Sequence, residues 1–355
     1  MTSPTPFLEK LLDAAGPSGF EVRPARVWRE EAEAFAEDVR VDVGGNSYAT
    51  VNPAGSPRVM LAGHIDEIGL QVTHVDEKGF LYVDEIGGWD PQVLVGQRVT
   101  LLGRKGDVPG VLGKKAIHLM SPEDRTKASK TKDLWVDVGA RSRDEVKEMG
   151  LRVGDPMVLA QSMVRLAGDR IASRAVDDRI GAYVVLEALR LLSDDPPAAA
   201  ATAVATAQEE IGYSGGGART SAYALEPDVA IVVDVTFSTD VPDVEKKELG
   251  EHSVGGGPVL SRGSASHNQV FELLAQIASE EEIPHTIQAS PRSTRTDADA
   301  IYLTRAGVPT GLVSVPNRYM HSPNEVVSVE DLMNTARLIA AFIRRLGPET
   351  DFTPR

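Results

Sequence analysis

The chain has no cysteine, so any transition-metal site in it must be built from histidine, aspartate and glutamate. Candidate donors recur in one kind of place. His64 follows the apolar run Val59 to Gly63, Glu209 and Glu210 follow Ala201 to Ala207, Asp234 follows Val229 to Val233, and His321 comes shortly after Thr310 to Val315. Each run has the length and apolar character of a buried strand, and in open α/β sheets sites form beyond the carboxyl ends of strands. Asp177 and Asp178 open a helical pattern, where a carboxylate is also the favoured cap. Two imidazoles and three carboxylates would give each of two cations one histidine, one terminal carboxylate and one shared carboxylate. Such a pair, about 3.5 Å apart, polarises a carbonyl and lowers the pKa of water. Donors of this kind suit zinc, cobalt or manganese without choosing among them.

Taken singly, each residue has a plainer role: a hydrogen-bonded loop histidine, a helix-capping aspartate, a solvated glutamate pair, a turn-forming Asp234. Their shared placement at strand ends is what points to a metal site. His74 and His118 lie in a β-rich stretch, and His267 and His285 flank a helix; these read as structural or surface residues. His252 precedes Gly255-Gly256-Gly257-Pro258, a flexible stretch that makes it a candidate substrate contact.

The elements that must position these residues follow from hydrophobic period and turn signals. Thr5 to Ala15 and Val22 to Phe35 read as helices, and Val39 to Val51 reads as a hairpin around Gly44-Gly45-Asn46. Arg58 to Gly63 is a buried-strand run. From about Gly69 to Val164 the texture changes to short β-rich runs between glycines: Leu70 to Val75, Phe80 to Asp84, Arg98 to Leu102, Gly110 to Leu112, Leu134 to Val138 and Met157 to Ala160. This spacing predicts a small all-β domain at 69–164 inserted into an α/β domain formed by 1–68 and 165–355. After Arg165 the helical and strand patterns alternate again. Asp177 to Leu192, Phe271 to Ser279 and Val329 to Leu346 read as helices, and a short linker is expected at Pro196.

Composition narrows the class of protein. Hydrophobic residues make up 42% and aromatics 5% of 355 residues, the profile of a folded enzyme large enough for more than one domain. A net charge of −15 argues against nucleic acid or an anionic membrane as partner. Met1 to Leu12 lacks the basic start and apolar run of a signal peptide, and no stretch nears the roughly 18 apolar residues of a membrane span. The expected compartment is the cytoplasm.

Five motifs in order carry a resemblance: Ala62-Gly63-His64-Ile65-Asp66-Glu67-Ile68-Gly69, Ala175-Val176-Asp177-Asp178-Arg179-Ile180-Gly181, Gln208-Glu209-Glu210-Ile211-Gly212, Val233-Asp234-Val235 and Arg318-Tyr319-Met320-His321-Ser322-Pro323. With Val136 to Ala140 and Val153 to Pro156, they span nearly the whole chain. The pattern resembles the tetrahedral (TET) dinuclear metallo-aminopeptidases, a family that includes bacterial glutamyl aminopeptidases and peptidases once labelled endoglucanases.

The resemblance implies a mixed-sheet α/β metallopeptidase domain with an inserted PDZ-like all-β domain, releasing N-terminal amino acids from peptides. It implies two divalent ions per subunit, zinc first and cobalt or manganese as alternatives. His64 and Asp234 would hold one ion, Glu210 and His321 the other, and Asp177 would bridge them. Glu209 would be the general base and Asp66 the carboxylate that orients His64. A homo-oligomer, a tetrahedral dodecamer built from dimers, is implied as well. The segment Pro291-Arg292-Ser293-Thr294-Arg295, followed by Asp299, departs from the small residues usual in the family. That departure bears on specificity and on the local loop, and leaves all five inferred ligands in place. Arg292 and Arg295 either face the pocket for the first side chain, favouring acidic residues, or pair with Asp297 or Asp299.

Three other functions compete. A dinuclear deacylase or carboxypeptidase would use the same donor set. A non-catalytic peptide-binding assembly protein would use the β insertion as its recognition module, at odds with a complete donor set and an intact Glu209. A glycosidase needs two opposed carboxylates rather than histidine-bearing metal ligands.

Overall fold

The four apolar runs that end in acidic or histidine residues become strands, and they become neighbours. A computed structural model describes residues 3–212 and 215–354. In chain order the strands are Asp38–Val41 (β1), Ser47–Val51 (β2), Arg58–His64 (β3), Gly69–Val75 (β4), Leu81–Ile86 (β5), Arg98–Gly103 (β6), Gly106–Gly113 (β7), Trp135–Asp137 (β8), Pro156–Leu159 (β9), Val164–Arg165 (β10), Arg170–Ser173 (β11), Ala200–Thr206 (β12), Val229–Phe237 (β13), Val259–Gly263 (β14), Thr286–Ser290 (β15), Thr310–Asn317 (β16) and Glu325–Ser328 (β17). Eight of them form a mixed sheet in the order β1-β2-β12-β3-β13-β16-β14-β15. At its centre β12, β3, β13 and β16 run parallel, so their carboxyl ends share one edge.

Period-two alternation explains how this sheet is buried on both faces. Val59 and Leu61 of β3, with Ile231 and Val233 of β13, join a core cluster with helices Pro6–Asp13, Val22–Ala32, Val176–Ser193, Asn268–Glu280 and Val329–Arg344. Met60 and Ala62, with Ala230 and Val232, point the other way, toward Ala218 and Ala222 of helix Gly216–Leu225 and Ala298 and Ile301 of helix Asp297–Ile301. Where helix Val176–Ser193 crosses β3, the approach is too close for side chains. A Cβ on Gly63 would stand 2.3 Å from the Gly181 carbonyl carbon.

Strands β4 to β9 close into a barrel in the order β4-β5-β8-β7-β6-β9, around its own apolar cluster that includes Val99, Leu101, Leu112 and Val136. Strands β10, β11 and β17 form a separate three-stranded sheet. Among the described residues no helix is long and apolar enough to cross a membrane.

Several elements differ from the sequence expectations or lie outside them. Helix Gly216–Leu225, for which the sequence reading assigns no element, starts in a glycine run and is held by packing of Ala218 and Ala222 rather than by propensity. Edge strand β15 alternates between intermediate and exposed positions, so it lacks the apolar run of a central strand. Strand β13 continues to Phe237, three residues past Asp234, where an end was expected. Its pairing with β3 stops at Val232, while its pairing with β16 continues to Phe237. Asp234 therefore lies beside the end of β3, within reach of His64. The alanines after Pro196 are not all linker, since Ala200 and Ala201 belong to β12.

Candidate active site

Both candidate histidines converge on Asp177. His64 Nε2 lies 3.1 Å from Asp177 Oδ1, and His321 Nε2 lies 3.3 Å from Asp177 Oδ2. Around that shared carboxylate stand two groups of three: His64, Asp177 and Asp234, and Asp177, Glu210 and His321. Within each group, one ligand atom from every residue lies within 4.8 Å of the others. His321 Nε2 is 3.5 Å from Glu210 Oε2, and the Glu209 carboxylate stands 3.8 Å from His64 Nε2.

Asp177 and Asp178 split the two roles open to a helix-opening acid. Neither has helical backbone angles. Asp178 Oδ1 accepts the Gly181 N–H at 3.0 Å and its Oδ2 accepts the His64 N–H at 3.2 Å, so Asp178 caps the helix and ties it to the end of β3. That frees Asp177 to face the site. Asp66 lies beside His64 Nδ1, with its Oδ1 and its backbone carbonyl each at 3.3 Å. It also accepts the Glu209 and Glu210 N–H groups, one on each oxygen, both at 3.1 Å. The His321 ring is fixed through Nδ1–H, which donates to the Gly88 carbonyl at 2.7 Å.

Backbone strain marks the same segments. Ala175, Gln208, Tyr319 and His321 all have positive φ, between 57° and 64°. Non-glycine residues in this region cost of order 1–3 kcal/mol each and persist where the surroundings over-determine them. One such surrounding is a buried ion cluster: Glu67 pairs with Arg174 and, at 2.7 Å, with Arg179. Arg179, fully buried, also donates to the carbonyls of Leu11, Leu12 and Ile65. It thereby joins the first helix to the loop that follows His64 and carries Asp66.

The electrostatics call for added positive charge. Burial pushes the Glu209 carboxyl up to about 9, with Asp234 adding to the push and His64 opposing it. Burial and the Asp177 charge raise Glu210 and Asp234 well above the usual carboxylate range. Asp177 is also buried, yet hydrogen bonds from His321 and His64 hold its carboxyl low. For His64, burial disfavours the imidazolium, but Asp177 and Asp66 lift it well above its ordinary value. Among the described residues no lysine or arginine pairs with Asp177, Glu209, Glu210 or Asp234, and the buried Glu210 Oε1 has no hydrogen-bond partner. Clustered, buried, unneutralised carboxylates with imidazoles and no thiolate fit a divalent cation of the zinc, cobalt or manganese type.

The site opens into a cleft of about 1280 Å³. Arg292 and Arg295 line it, with Arg219, and none of the three forms an ion pair with a described residue. The alternative pairing with Asp297 or Asp299 is not formed by their side chains. Asp297 accepts from Thr206 Oγ1 at 2.5 Å, and Asp299 accepts the backbone N–H groups of Thr294 at 2.9 Å and Arg295 at 2.8 Å. His252 does not line the cleft. It is buried, with Nδ1 2.7 Å from Thr286 Oγ1 and Nε2 3.0 Å from the Leu249 carbonyl, so both ring nitrogens are occupied and the glycine stretch beyond it does not carry it to the cleft. Two further buried acids, Glu325 and Asp297, lie outside the sequence-derived site. Glu325 has a local signal, four residues after His321 in His321-Ser322-Pro323-Asn324-Glu325, and Asp297 enters the sequence reading only as an arginine partner.

A mixed α/β sheet with imidazoles and carboxylates gathered at its carboxyl edge fits the class of metal-dependent hydrolases. The chain belongs to the M42 glutamyl aminopeptidase family, whose model matches residues 45–338. It is 37% identical to a lysyl aminopeptidase of Pyrococcus furiosus over 98% of this chain and 99% of that protein. The fold matches a TET aminopeptidase from a marine sediment archaeon, Thaumarchaeota archaeon SCGC AB-539-E09, with TM-score 0.91 and 35% identity, covering 97% of this chain and 96% of that one. It also matches the TET1 peptidase of Pyrococcus horikoshii, which assembles into a tetrahedron or a large octahedral shell, with TM-score 0.85 and 30% identity over 96% and 99% of the two chains. The chain is thus an aminopeptidase, a peptide hydrolase of a metal-dependent family.

Proposed function

We propose that this aminopeptidase works through a dinuclear centre in which His64 and Asp234 hold one cation, Glu210 and His321 hold the other, and Asp177 bridges them. The observation that carries this reading is Asp177, whose two carboxylate oxygens each face a different histidine. Two divalent cations bound there, with zinc the first expectation, supply Lewis acidity to the scissile carbonyl and lower the pKa of the attacking water. Glu209 serves as general base and acid: its carboxylate takes a proton from water as the C–O bond forms, and passes it to the departing amine as the C–N bond breaks. An elevated Glu209 carboxyl needs neighbouring positive charge to ionise, and the two triads are where such charge fits. Asp66 holds His64 and the Glu209–Glu210 backbone in register for this step.

Three arginines without acidic partners favour substrates with an acidic first residue, and they would repel a lysine side chain. The preference would differ from the one in the name of the Pyrococcus furiosus relative. The reading includes a catalytic domain of residues 1–68 and 165–355, a PDZ-like inserted domain at 69–164, and a closed homo-oligomer, a tetrahedral dodecamer, that admits peptides and excludes folded proteins. Support for the assembly comes from the shells formed by the Pyrococcus horikoshii relative.

The test strips metal with a chelator, restores zinc, cobalt or manganese, and compares aminoacyl p-nitroanilides with N-acetyl amino acids. Activity on p-nitroanilides that returns as two ions bind per chain supports the reading. Turnover of N-acetyl substrates in their place would make the protein a deacylase, and full activity without metal would end the metal mechanism.

A further inference from the structure

The group formed by Asp177, Glu210 and His321 draws on three separate segments: the start of helix Val176–Ser193, the loop after β12, and the loop between β16 and β17. No local structure fixes the distances between them. Glu325 joins two of the three. It is 2% exposed, and its carboxylate accepts the Asp177 backbone N–H on Oε2 at 3.0 Å and the His321 backbone N–H on Oε1 at 2.8 Å. Among the described residues these two amides are the only hydrogen-bond partners of its side chain.

Sheet register delivers the carboxylate to this position. Glu325 opens β17 opposite Ser173, the last residue of β11, and the chain leaving β11 reaches Asp177 four residues later. On the other side, His321 precedes Glu325 by four residues in a loop where Tyr319 and His321 hold φ of 64° and 58°. Two non-glycine residues so close together in the left-handed region need outside contacts to keep them there.

We propose that Glu325 is a positioning residue that sets the separation of the Asp177 carboxylate and the His321 imidazole, and through it the affinity of their triad for a divalent cation. The inference rests on the metal-centre reading above. Two acceptor oxygens meet two N–H donors, a match that only a carboxylate of this length provides. Glu325→Gln keeps one acceptor and turns an amide donor toward the other N–H. Glu325→Asp keeps both acceptors and withdraws them by one methylene.

The test uses the full-length assembled protein, stripped of metal and titrated with zinc, and separately with cobalt, by equilibrium dialysis, with the Tm of the metal-free form measured alongside. Both variants are expected to bind one ion about 10- to 100-fold more weakly than wild type, the usual effect of losing a group that orients ligands. Turnover at limiting metal should fall and recover as metal is added, with KM unchanged. A lower Tm of the metal-free variants with metal affinity intact would make Glu325 a purely structural residue and overturn the inference. Should Glu325→Gln fail to fold, Glu325→Asp carries the same comparison. Wild-type protein that takes up neither metal would sink the metal-centre reading itself, whereas wild-type uptake matched by both variants sinks only the role of Glu325.

Discussion

Inside the closed barrel, Val99, Leu101, Leu112, Val136 and Met157 are fully buried in an apolar cluster, and every residue with positive φ between 69 and 164 is a glycine. At the carboxyl edge of the eight-stranded sheet the buried residues include His64, Asp66, Asp177, Asp178, Asp234, Asp297 and Glu325, and the positive φ angles fall on Ala175, Gln208, Tyr319 and His321. The barrel core is apolar, and its positive φ angles fall on the residue that adopts them without strain. The sheet edge instead holds like charges close together on strained backbone, an arrangement that is stable where rigid surroundings enforce it and useful where a cation will neutralise it. The barrel thus has an apolar core of its own, whereas the sheet edge concentrates buried charge and strained backbone.

The largest effects should separate two chemically identical neighbours at that edge. Glu209→Gln keeps shape but removes the proton acceptor, so turnover should fall by at least about 10²-fold with metal content near wild type. Glu210→Gln should instead lose metal, with activity partly restored by added metal. Metal analysis and peptidase assays on both variants decide the matter, and reversed metal contents would exchange the two roles.

The barrel should answer in the opposite currency. Leu101→Ala opens a cavity in a fully buried position and should cost about 2–5 kcal/mol of stability. Denaturant unfolding measures that cost, and metal binding by the folded variant should match wild type. Loss of metal without loss of stability would erase the contrast.

Removing metal should expose the stored repulsion as a pH dependence. The folded-state pKa of Glu209 is raised from 4.5 to about 9, so folding takes up protons between these values. Its contribution to stability is full below about pH 4.5 and is lost as pH rises toward 9; the raised carboxyls of Glu210 and Asp234 act in the same direction. The Tm gap between metal-loaded and metal-free protein should therefore widen from pH 5 to pH 9. A constant or shrinking gap would show that the carboxylates are not the source of the strain.

The smallest effect concerns the cleft wall. Replacing Arg292 and Arg295 with alanine should lower kcat/KM for glutamyl and aspartyl p-nitroanilides by about tenfold, equivalent to about 1.4 kcal/mol, and change leucyl turnover little. Faster turnover of leucyl than of acidic substrates by the wild type would remove the acidic-pocket idea.

The candidate donors that the fold gathers into two groups were legible in the sequence because ligand chemistry belongs to side-chain type, and the strands that carry them were legible because apolar runs of strand length are local signals. Ordered motifs likewise sufficed for the family. Helix Gly216–Leu225 and edge strand β15 were not legible, since one begins in glycines and the other lacks a buried face; their stability comes from neighbours distant in the chain. Only tertiary structure decided that Asp178 caps the helix while Asp177 faces the histidines, that His252 turns inward, and that Arg292 and Arg295 line the cleft without acidic partners. The same holds for Glu325, which reaches Asp177 only because antiparallel pairing sets Glu325 opposite Ser173. Sequence specifies which groups exist and which elements carry them. Register and packing fix the ångström-scale distances between groups far apart in the chain, and those distances are what turn a set of acids and histidines into a site.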